Sequence, residues 1–448
     1  MADTAPDPQA IVADLIARAA KAGADAADAL YFSSAALSHA QRLGEIEKLE
    51  RAESTDLGLR VFVGQRQAIV STTDRSPAAI AELAERAIAM ARAVPEDPHA
   101  GLAPSELIAK GLPDLDLVDE VEPSPEALIE LAREAEDAAR AVKGITNSEG
   151  AEASWSRVDI ALAASNGFAG AYAFSRHGIG VSVLAGEGTK MERDYDWGSA
   201  VHASDLRSAG EIGKEAGERA VKRLNPRKVE SAKLPIIFER RVSGGILGHL
   251  TSAISGAAVA RGTSFLKDRL GTAIFSKNIT VIDDPHRVRG LRSKPFDGEG
   301  VGGEKRAIID KGVLTTWLLD MRSANQLGMT TTGHASRGTS GPPSPSATNL
   351  IMQPGEISAE ALIGDIKQGL YVNELIGFGV NQVTGDYSRG AGGFWIENGA
   401  LAYPVSEVTI AGNLVEMFAA ITPANDLEIR YGVDAPTLRI DGMTVAGS

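Results

Sequence analysis

The residues best suited to chemistry lie in a glycine-rich segment around a histidine. Residues 241–250 read RVSGGILGHL, and His249 is the side chain in this segment that could bind a metal ion or transfer a proton near neutral pH. Apolar residues recur at every fourth position, at Val242, Ile246, Leu250 and Ile254. This spacing predicts a helix over about 241–256.

Three glycines, Gly244, Gly245 and Gly248, lie within that predicted helix. Each glycine costs a helix about 1 kcal/mol relative to alanine. Either the backbone packs closely against a neighbouring element, or the segment is a former active site that has lost its functional side chains. The sequence favours close packing. The other six histidines have no second histidine at helical ligand spacing, so they form no metal-binding pattern.

Two other segments of suggestive composition have simpler interpretations. The run Asp297–Gly303 (DGEGVGG) lacks the helix that a phosphate-binding loop needs directly after it, because residues 307–309 predict a strand. Ser340 is soon followed by two prolines, which does not fit the strand, serine and helix of a nucleophile elbow. We therefore expect a flexible loop at the first segment and a plain turn at the second.

Composition and charge exclude several classes of function. The 448 residues contain no cysteine, which excludes disulfides, thiolate nucleophiles and cysteine-bound zinc or iron–sulfur clusters. A net charge of −14 without a cluster of Lys and Arg argues against direct binding of nucleic acid. The sequence has neither a signal peptide nor an apolar stretch of about 18 residues, so we expect a cytoplasmic protein without a membrane span.

Helices and an antiparallel sheet are predicted for the N-terminal half. Amphipathic patterns indicate helices over Pro8–Ala22 and after the cap at Ser76-Pro77. A hairpin is predicted with its turn at Gly64-Gln65, and an antiparallel meander over about 152–200. Short strands separated by glycine turns predominate after residues 225–228.

We therefore expect an α+β protein of two domains. Residues 1–228 are predicted to form an N-terminal α/β domain with an antiparallel sheet. Residues 229–448 are predicted to form a mostly β C-terminal domain, which carries the glycine-rich helix at about 241–256.

The C-terminal half contains distinctive segments at Gly385–Gly399 (GDYSRGAGGFWIENG) and Pro404–Leu414 (PVSEVTIAGNL). Together with Arg261–Phe265 (RGTSF), they resemble the TldD/PmbA family and specifically its TldE (PmbA) branch. The resemblance covers most of the chain and is densest over about 234–420. It implies that the C-terminal domain has the TldD/PmbA type of fold.

The resemblance also gives a meaning to the glycines. The TldD branch consists of cytosolic zinc metalloproteases whose helix carries H-E-x-x-x-H, with a later cysteine as a further ligand. In this sequence the first His position is Gly244, the Glu position is Gly245 and the last His is His249. A catalytic zinc needs about three protein ligands and an open position for water. The resemblance therefore implies no catalytic residue and no bound metal in this chain, with zinc in a partner subunit.

One geometric feature of the motif is unusual for a helix. Positions 244 and 249 are five residues apart, which is about 140° around an ideal helix. Two ligands there would need a distorted or ending helix, and Gly248 would permit one.

The function implied by the resemblance is that of a metal-free partner subunit in a TldD/TldE-like cytosolic zinc metalloprotease. Such a complex degrades or processes small unfolded peptides, and this chain would help to close the cavity and hold extended substrate through main-chain hydrogen bonds. Two alternatives stay open. One is an autonomous metallopeptidase that uses His249 with ligands from other segments, and the other is a non-enzymatic peptide-binding scaffold.

Four residues are candidates for lining the substrate cavity, namely His249, Arg261, Thr263 and Ser264. A capped turn after the helix explains the last three equally well. The implied partner is a TldD-like metalloprotease subunit, and homodimers are possible without it. Neither nucleic acid nor a membrane is expected as a direct partner.

Overall fold

A six-stranded antiparallel sheet forms the base of the N-terminal half in the computed structural model, which describes residues 7–447. Its strand order is β3-β2-β1-β4-β5-β6. The elements in chain order are α1 (Pro8–Ala22), β1 (Ala26–Arg42), β2 (Glu45–Val63), β3 (Arg66–Thr72), α2 (Pro77–Ala93), α3 (Pro125–Arg140), β4 (Ile145–Ala164), β5 (Ala169–Ala185), β6 (Glu192–Ala200) and α4 (Ala209–Lys222).

The helices of this half begin where local signals place them. The side chains of Asp7 and Ser76 cap α1 and α2, and a proline follows each cap. Gly23 ends α1 with φ of +102°, a left-handed conformation that suits glycine. The predicted helix over Pro8–Ala22 is therefore confirmed at both ends. Helices α1 and α2 pack on one end of the sheet, and α3 and α4 pack on the other.

The strands β1 and β2 are longer than the predicted hairpin. Strand β3 pairs with β2 only from Leu57 onwards, so residues 45–56 of β2 pair with β1 alone. We call this stretch the free edge of β2. Residues 45–54 are all exposed. The first half of β2 was missed because polar residues on both faces leave no alternating pattern to detect.

Three sheets make up the C-terminal half. The largest has the order β16-β15-β14-β7-β19-β17, and a further pairing of β16 with β19 closes it on itself. The elements are β7 (Ala232–Phe238), α5 (Arg240–Ala253), α6 (Gly256–Ala260), β8 (Val281–Asp284), β9 (Arg306–Asp310), β10 (Val313–Leu314), α7 (Met321–Leu327), β11 (Ala335–Ser336), β12 (Ser344–Pro345), β13 (Asn349–Met352), α8 (Ala359–Gly364), β14 (Gln368–Ile376), β15 (Asp386–Glu397), β16 (Ala400–Asn413), α9 (Leu414–Ala419), β17 (Ile421–Pro423), β18 (Val433–Asp434) and β19 (Leu438–Ala446).

The mixture of helices and strands confirms the α+β class. Residues 223–231, between α4 and β7, belong to neither set of strands. The division into domains at 228 and 229 stays a prediction. Among the described residues, no helix is long and apolar enough to cross a membrane.

Buried charges join the two halves. Asp28 on β1 accepts a hydrogen bond of 2.7 Å from Arg60 on β2 and is also paired with Arg337 from the C-terminal half. Glu299, also from the C-terminal half, lies 3.6 Å from Arg60. All four side chains are almost completely buried. The halves are thus joined by the ion pair between Asp28 and Arg337, which water does not reach.

Most of the segment Asp297–Gly303 is buried in a hydrogen-bonded turn, so the expectation of a flexible loop was wrong. The Asp297 carboxylate accepts hydrogen bonds from the backbone N–H groups of Glu299, Val301 and Ala335, at 2.8 to 2.9 Å. The loop therefore folds around its own carboxylate.

Candidate functional site

The glycine-rich helix is α5, which runs from Arg240 to Ala253. Its buried face contains Ile246 and Leu250, as the four-residue spacing predicted. It ends three residues before the predicted end, because the chain turns at residues 254 and 255 into α6. The helix continues through Gly248 without interruption. The distortion that Gly248 could have permitted is therefore not present.

Close packing explains only one of the three glycines. A Cβ atom at Gly244 would lie 2.8 Å from the carbonyl oxygen of Val433, which is closer than real contacts allow. A Cβ atom at Gly245 or Gly248 would have nothing within 4 Å. The sequence-based preference for close packing was therefore wrong at these two positions. Side chains could stand there, and their absence leaves open space on the helix.

His249 lies against strand β15. Its ring meets that of Tyr387 edge to face, with centroids 5.6 Å apart and an interplanar angle of 78°. Arg389 follows two residues later on β15 and so projects from the same face of the strand. Burial and then the positive charge of Arg389 lower the pKa of His249 to about 4. The imidazole is therefore neutral at pH 7.

Tyr387 and Arg389 were not among the site residues predicted from sequence. They belong to the segment that carried the family resemblance, but nothing local connects them with His249. That segment was the one signal that could have drawn attention to them.

The candidate residues Arg261, Thr263 and Ser264 lie in the turn after α6. Ser264 is buried, and its hydroxyl donates to the Ala253 carbonyl at 2.6 Å and accepts from the Leu266 N–H at 3.0 Å. The Thr263 hydroxyl donates to the Ala258 carbonyl at 3.2 Å, and Arg261 is exposed. The capping geometry accounts for Ser264 and Thr263. That these residues also line a cavity stays a prediction.

The first turn of α5 is attached to the N-terminal sheet. Arg241 is almost fully buried, and it donates to the Asp194 carboxylate at 2.9 Å and to the Tyr195 carbonyl at 3.0 Å. Both residues lie on β6. The neighbouring Glu239 carboxylate also accepts a hydrogen bond from Arg241, at 3.1 Å. The glycine-rich helix is thus fixed to the edge strand of the other half.

A large cleft of about 950 Å³ lies on the face of that sheet opposite α3 and α4. Its β6 wall carries the half-exposed aromatic rings of Tyr195 and Trp197, and Trp197 also contacts Tyr431 from the C-terminal half, with ring centroids 4.5 Å apart. Small residues make up most of the floor, including Ser38, Ser154, Gly178, Gly180 and Ser182. The cleft is therefore wide, and the side chains of its floor are mostly short, so the strand backbones lie close beneath it.

The donor set on α5 does not fit zinc. His249 supplies one nitrogen, Gly244 and Gly245 supply none, and the sequence has no cysteine. Within residues 7–447, no group of three or more His, Asp or Glu side chains is arranged to hold a metal ion. A catalytic zinc needs about three ligands. No reaction step through zinc can be assigned to the described residues.

Three family models match the chain along most of its length. They describe the first, central and C-terminal domains of the PmbA/TldA metallopeptidases, and they match residues 27–91, 119–224 and 231–447. The chain belongs to the TldD/PmbA family. The resemblance stated from sequence is thereby confirmed.

Relatives place the chain in the PmbA branch of this family. It is 41% identical to the metalloprotease PmbA of Escherichia coli O157:H7, over 94% of this chain and 92% of that protein. It is 37% identical to a metalloprotease PmbA homolog of Haemophilus influenzae, over 96% and 94% of the two chains.

Two solved structures share the fold. TldE from Thermococcus kodakarensis matches with a TM-score of 0.86 at 22% identity, over 98% of this chain and 100% of that chain. A proposed DNA gyrase modulator from Bacteroides thetaiotaomicron matches with a TM-score of 0.90 at 29% identity, over 98% and 99%. At 22% identity the TldE match is evidence for the fold alone.

Proposed function

We propose that this TldD/PmbA-family chain is the metal-free subunit of a two-subunit metalloprotease. A TldD-like subunit would carry the zinc ion and the catalytic residues. This chain would help to close the cavity and hold small, unfolded peptides in an extended conformation. We place the complex in the cytoplasm and propose neither nucleic acid nor membrane as a direct partner.

The observation that carries this proposal is the state of α5. Of the positions that correspond to the zinc motif of the TldD branch, only position 249 has a side chain that can bind zinc, the imidazole of His249. Gly244 faces the Val433 carbonyl at a distance that leaves no room for a side chain. A subunit that has lost the ligands but kept the fold needs a partner to take part in hydrolysis.

Two features support a role in holding extended peptides. The cleft on the N-terminal sheet has serine and glycine in much of its floor, so a peptide could approach the strands there between the larger side chains of the wall. The free edge of β2 offers unpaired main-chain groups over residues 45–56. Binding through main-chain hydrogen bonds depends little on peptide sequence, which would give broad substrate tolerance.

The test is to produce the chain alone, a TldD-like subunit alone, and both together without an affinity tag on this chain. For each sample, zinc per chain is measured by elemental analysis, and hydrolysis of an unfolded peptide is followed. We expect this chain alone to contain almost no zinc and to cleave nothing. We expect it to co-purify with the TldD-like subunit and to raise cleavage above that of the subunit alone.

Other outcomes would replace the proposal. Tightly bound zinc with chelator-sensitive cleavage by this chain alone would indicate an autonomous metallopeptidase that uses His249. Peptide binding without any association with the TldD-like subunit would indicate a non-enzymatic scaffold. Size-exclusion chromatography of the chain alone would also show whether homodimers form when no partner is present.

A further inference from the structure

Three polar side chains beside α5 lack a partner in the part of the chain that the structure describes. Arg389 makes no ion pair, and its Nε atom is buried without a hydrogen bond. The Oη atom of Tyr387 is likewise buried without a partner. His249 packs against Tyr387 and makes no hydrogen bond. Buried polar groups of folded proteins are rarely left unsatisfied, so the Arg389 and Tyr387 atoms need an explanation.

Arg389 brings a positive charge to this cluster. The protein has a net charge of −14, yet the group that acts electrostatically on both His249 and Tyr387 is the cation Arg389. Elsewhere in the described chain, buried arginines such as Arg60, Arg241 and Arg337 are paired with carboxylates. Arg389 is half-buried, its Nε atom is fully buried, and it forms no ion pair within residues 7–447.

Room for a ligand lies on the same side of α5. Gly245 is four residues before His249, so the two share a face of the helix. Gly245 is exposed, and nothing lies within 4 Å of a Cβ atom built on it or on Gly248. A small group could therefore enter beside His249 from solvent. In a helix without these glycines, side chains would occupy that space.

We propose that the lost metal site has become a carboxylate-binding site, in which Arg389 supplies the charge and His249 a hydrogen-bonding nitrogen. The ligand is a carboxylate of an extended peptide, either the C-terminal group or an acidic side chain. A guanidinium group and a carboxylate form the strongest type of side-chain hydrogen bond. The site would fix one end of a peptide whose main chain lies along the strands.

This inference rests on the proposed function for its biological meaning, but its test needs no partner subunit. The full chain is titrated by calorimetry with three peptides that differ in carboxylates. The first is acetyl-tetraalanine with a free C-terminus, the second is its C-terminal amide, and the third is the amide with one alanine replaced by glutamate. We expect the free acid to bind at least about tenfold more tightly than the amide.

The third peptide identifies the source of the carboxylate. Binding comparable to the free acid means that an acidic side chain is accepted, and binding as weak as that of the amide means that the C-terminus is required. Either result supports the site. Equal affinity for all three peptides overturns it, whatever is found for assembly with a TldD-like subunit.

Variants locate the binding. We expect Arg389→Gln to remove the preference for the free acid and to leave binding of the amide unchanged. Arg75→Gln is the matched control, because Arg75 is exposed in the N-terminal half and its replacement removes the same charge. A preference that survives in Arg389→Gln would show that another cation binds the carboxylate.

A measurement on the unaltered protein covers the case in which Arg389→Gln does not fold. The histidine Cε1–H resonances are recorded by NMR during the titration, and that of His249 is assigned from its absence in His249→Gln. We expect the free acid to shift the His249 resonance and to leave that of His99 in place. No shift of the His249 signal at saturating peptide would overturn the inference.

Discussion

The carbonyl oxygen of Val433 lies 2.8 Å from the point where a Cβ atom at Gly244 would be. Val433 begins β18, so the contact is between the helix backbone and a strand that packs on it. One residue later, at Gly245, the space is empty to 4 Å. Two adjacent positions of α5 are thus different in kind, since one is closed by backbone and the other is open.

The two glycines should respond in opposite directions to alanine. We expect Gly245→Ala to stabilise the protein by about 0.5–1 kcal/mol, because alanine favours a helix and nothing obstructs its methyl group. We expect Gly244→Ala to destabilise it by about 1–3 kcal/mol, because the methyl group must displace the Val433 carbonyl. Urea unfolding of the two variants measures both changes. Equal stabilities would contradict the close contact at Gly244.

Placing the His and Glu of the TldD-branch motif at positions 244 and 245 should not produce zinc-dependent hydrolysis. The double variant Gly244→His with Gly245→Glu lacks the cysteine ligand, and its new histidine meets the Val433 carbonyl. We expect no zinc-dependent hydrolysis of an unfolded peptide and less than one zinc per chain. The single variant Gly245→Glu controls for the added charge. Chelator-sensitive cleavage by the double variant would show that the remaining site is more complete than its donors indicate.

The attachment of α5 to β6 should contribute measurably to stability. In Arg241→Met, the Asp194 carboxylate loses a buried partner, although Arg223 remains 3.5 Å away. We expect a loss of about 3 kcal/mol in the free energy of unfolding, the lower end for breaking a buried ion pair. Arg133→Met is the control, because its pair with Glu130 is exposed and should contribute less than about 1 kcal/mol. Similar losses in both variants would refute a special role for Arg241.

Glu299 lies where the two halves meet, and it should make the free energy of unfolding depend on pH. Burial, assisted by the nearby Asp297, raises the pKa of Glu299 to about 8 despite the attraction of Arg60. The folded state then holds a proton that the unfolded state, with a carboxyl pKa near 4.5, releases. The contribution to stability is present below that unfolded pKa and is lost as pH rises through about 8. We expect the urea midpoint of the wild type to fall relative to that of Glu299→Gln between pH 5 and 8, and parallel midpoints would contradict the shift.

Local signals were sufficient for much of the fold. The caps at Asp7 and Ser76 act on N–H groups two or three residues away, and the turns at Gly64-Gln65 and Asn398-Gly399 join strands that are neighbours in sequence. The turn at 310–312 likewise joins β9 to its sequence neighbour β10. Each of these features depends on a handful of consecutive residues, which a sequence displays directly.

The candidate site could be predicted only in part. The motif positions followed from the resemblance, but the reason for each glycine depends on what faces it, and Val433 is far away in sequence. His249 and Tyr387 are also far apart in sequence, and no pattern of apolar residues predicts that their rings are in contact. The first half of β2 was not predicted for another reason. A strand that is exposed on both faces has no alternating apolar pattern in its sequence.

The free edge of β2 also bears on how the protein behaves at high concentration. A row of unpaired main-chain groups is a template for joining copies of the chain edge to edge, and aggregation is the usual danger. Six of the twelve residues of this edge are charged and lie close together, namely Glu45, Glu47, Lys48, Glu50, Arg51 and Glu53, and Asp56 at its end is a seventh. Such charges keep like strands apart at low ionic strength, and salt screens them. Concentrated salt is therefore the condition under which copies of the protein would first associate through this strand.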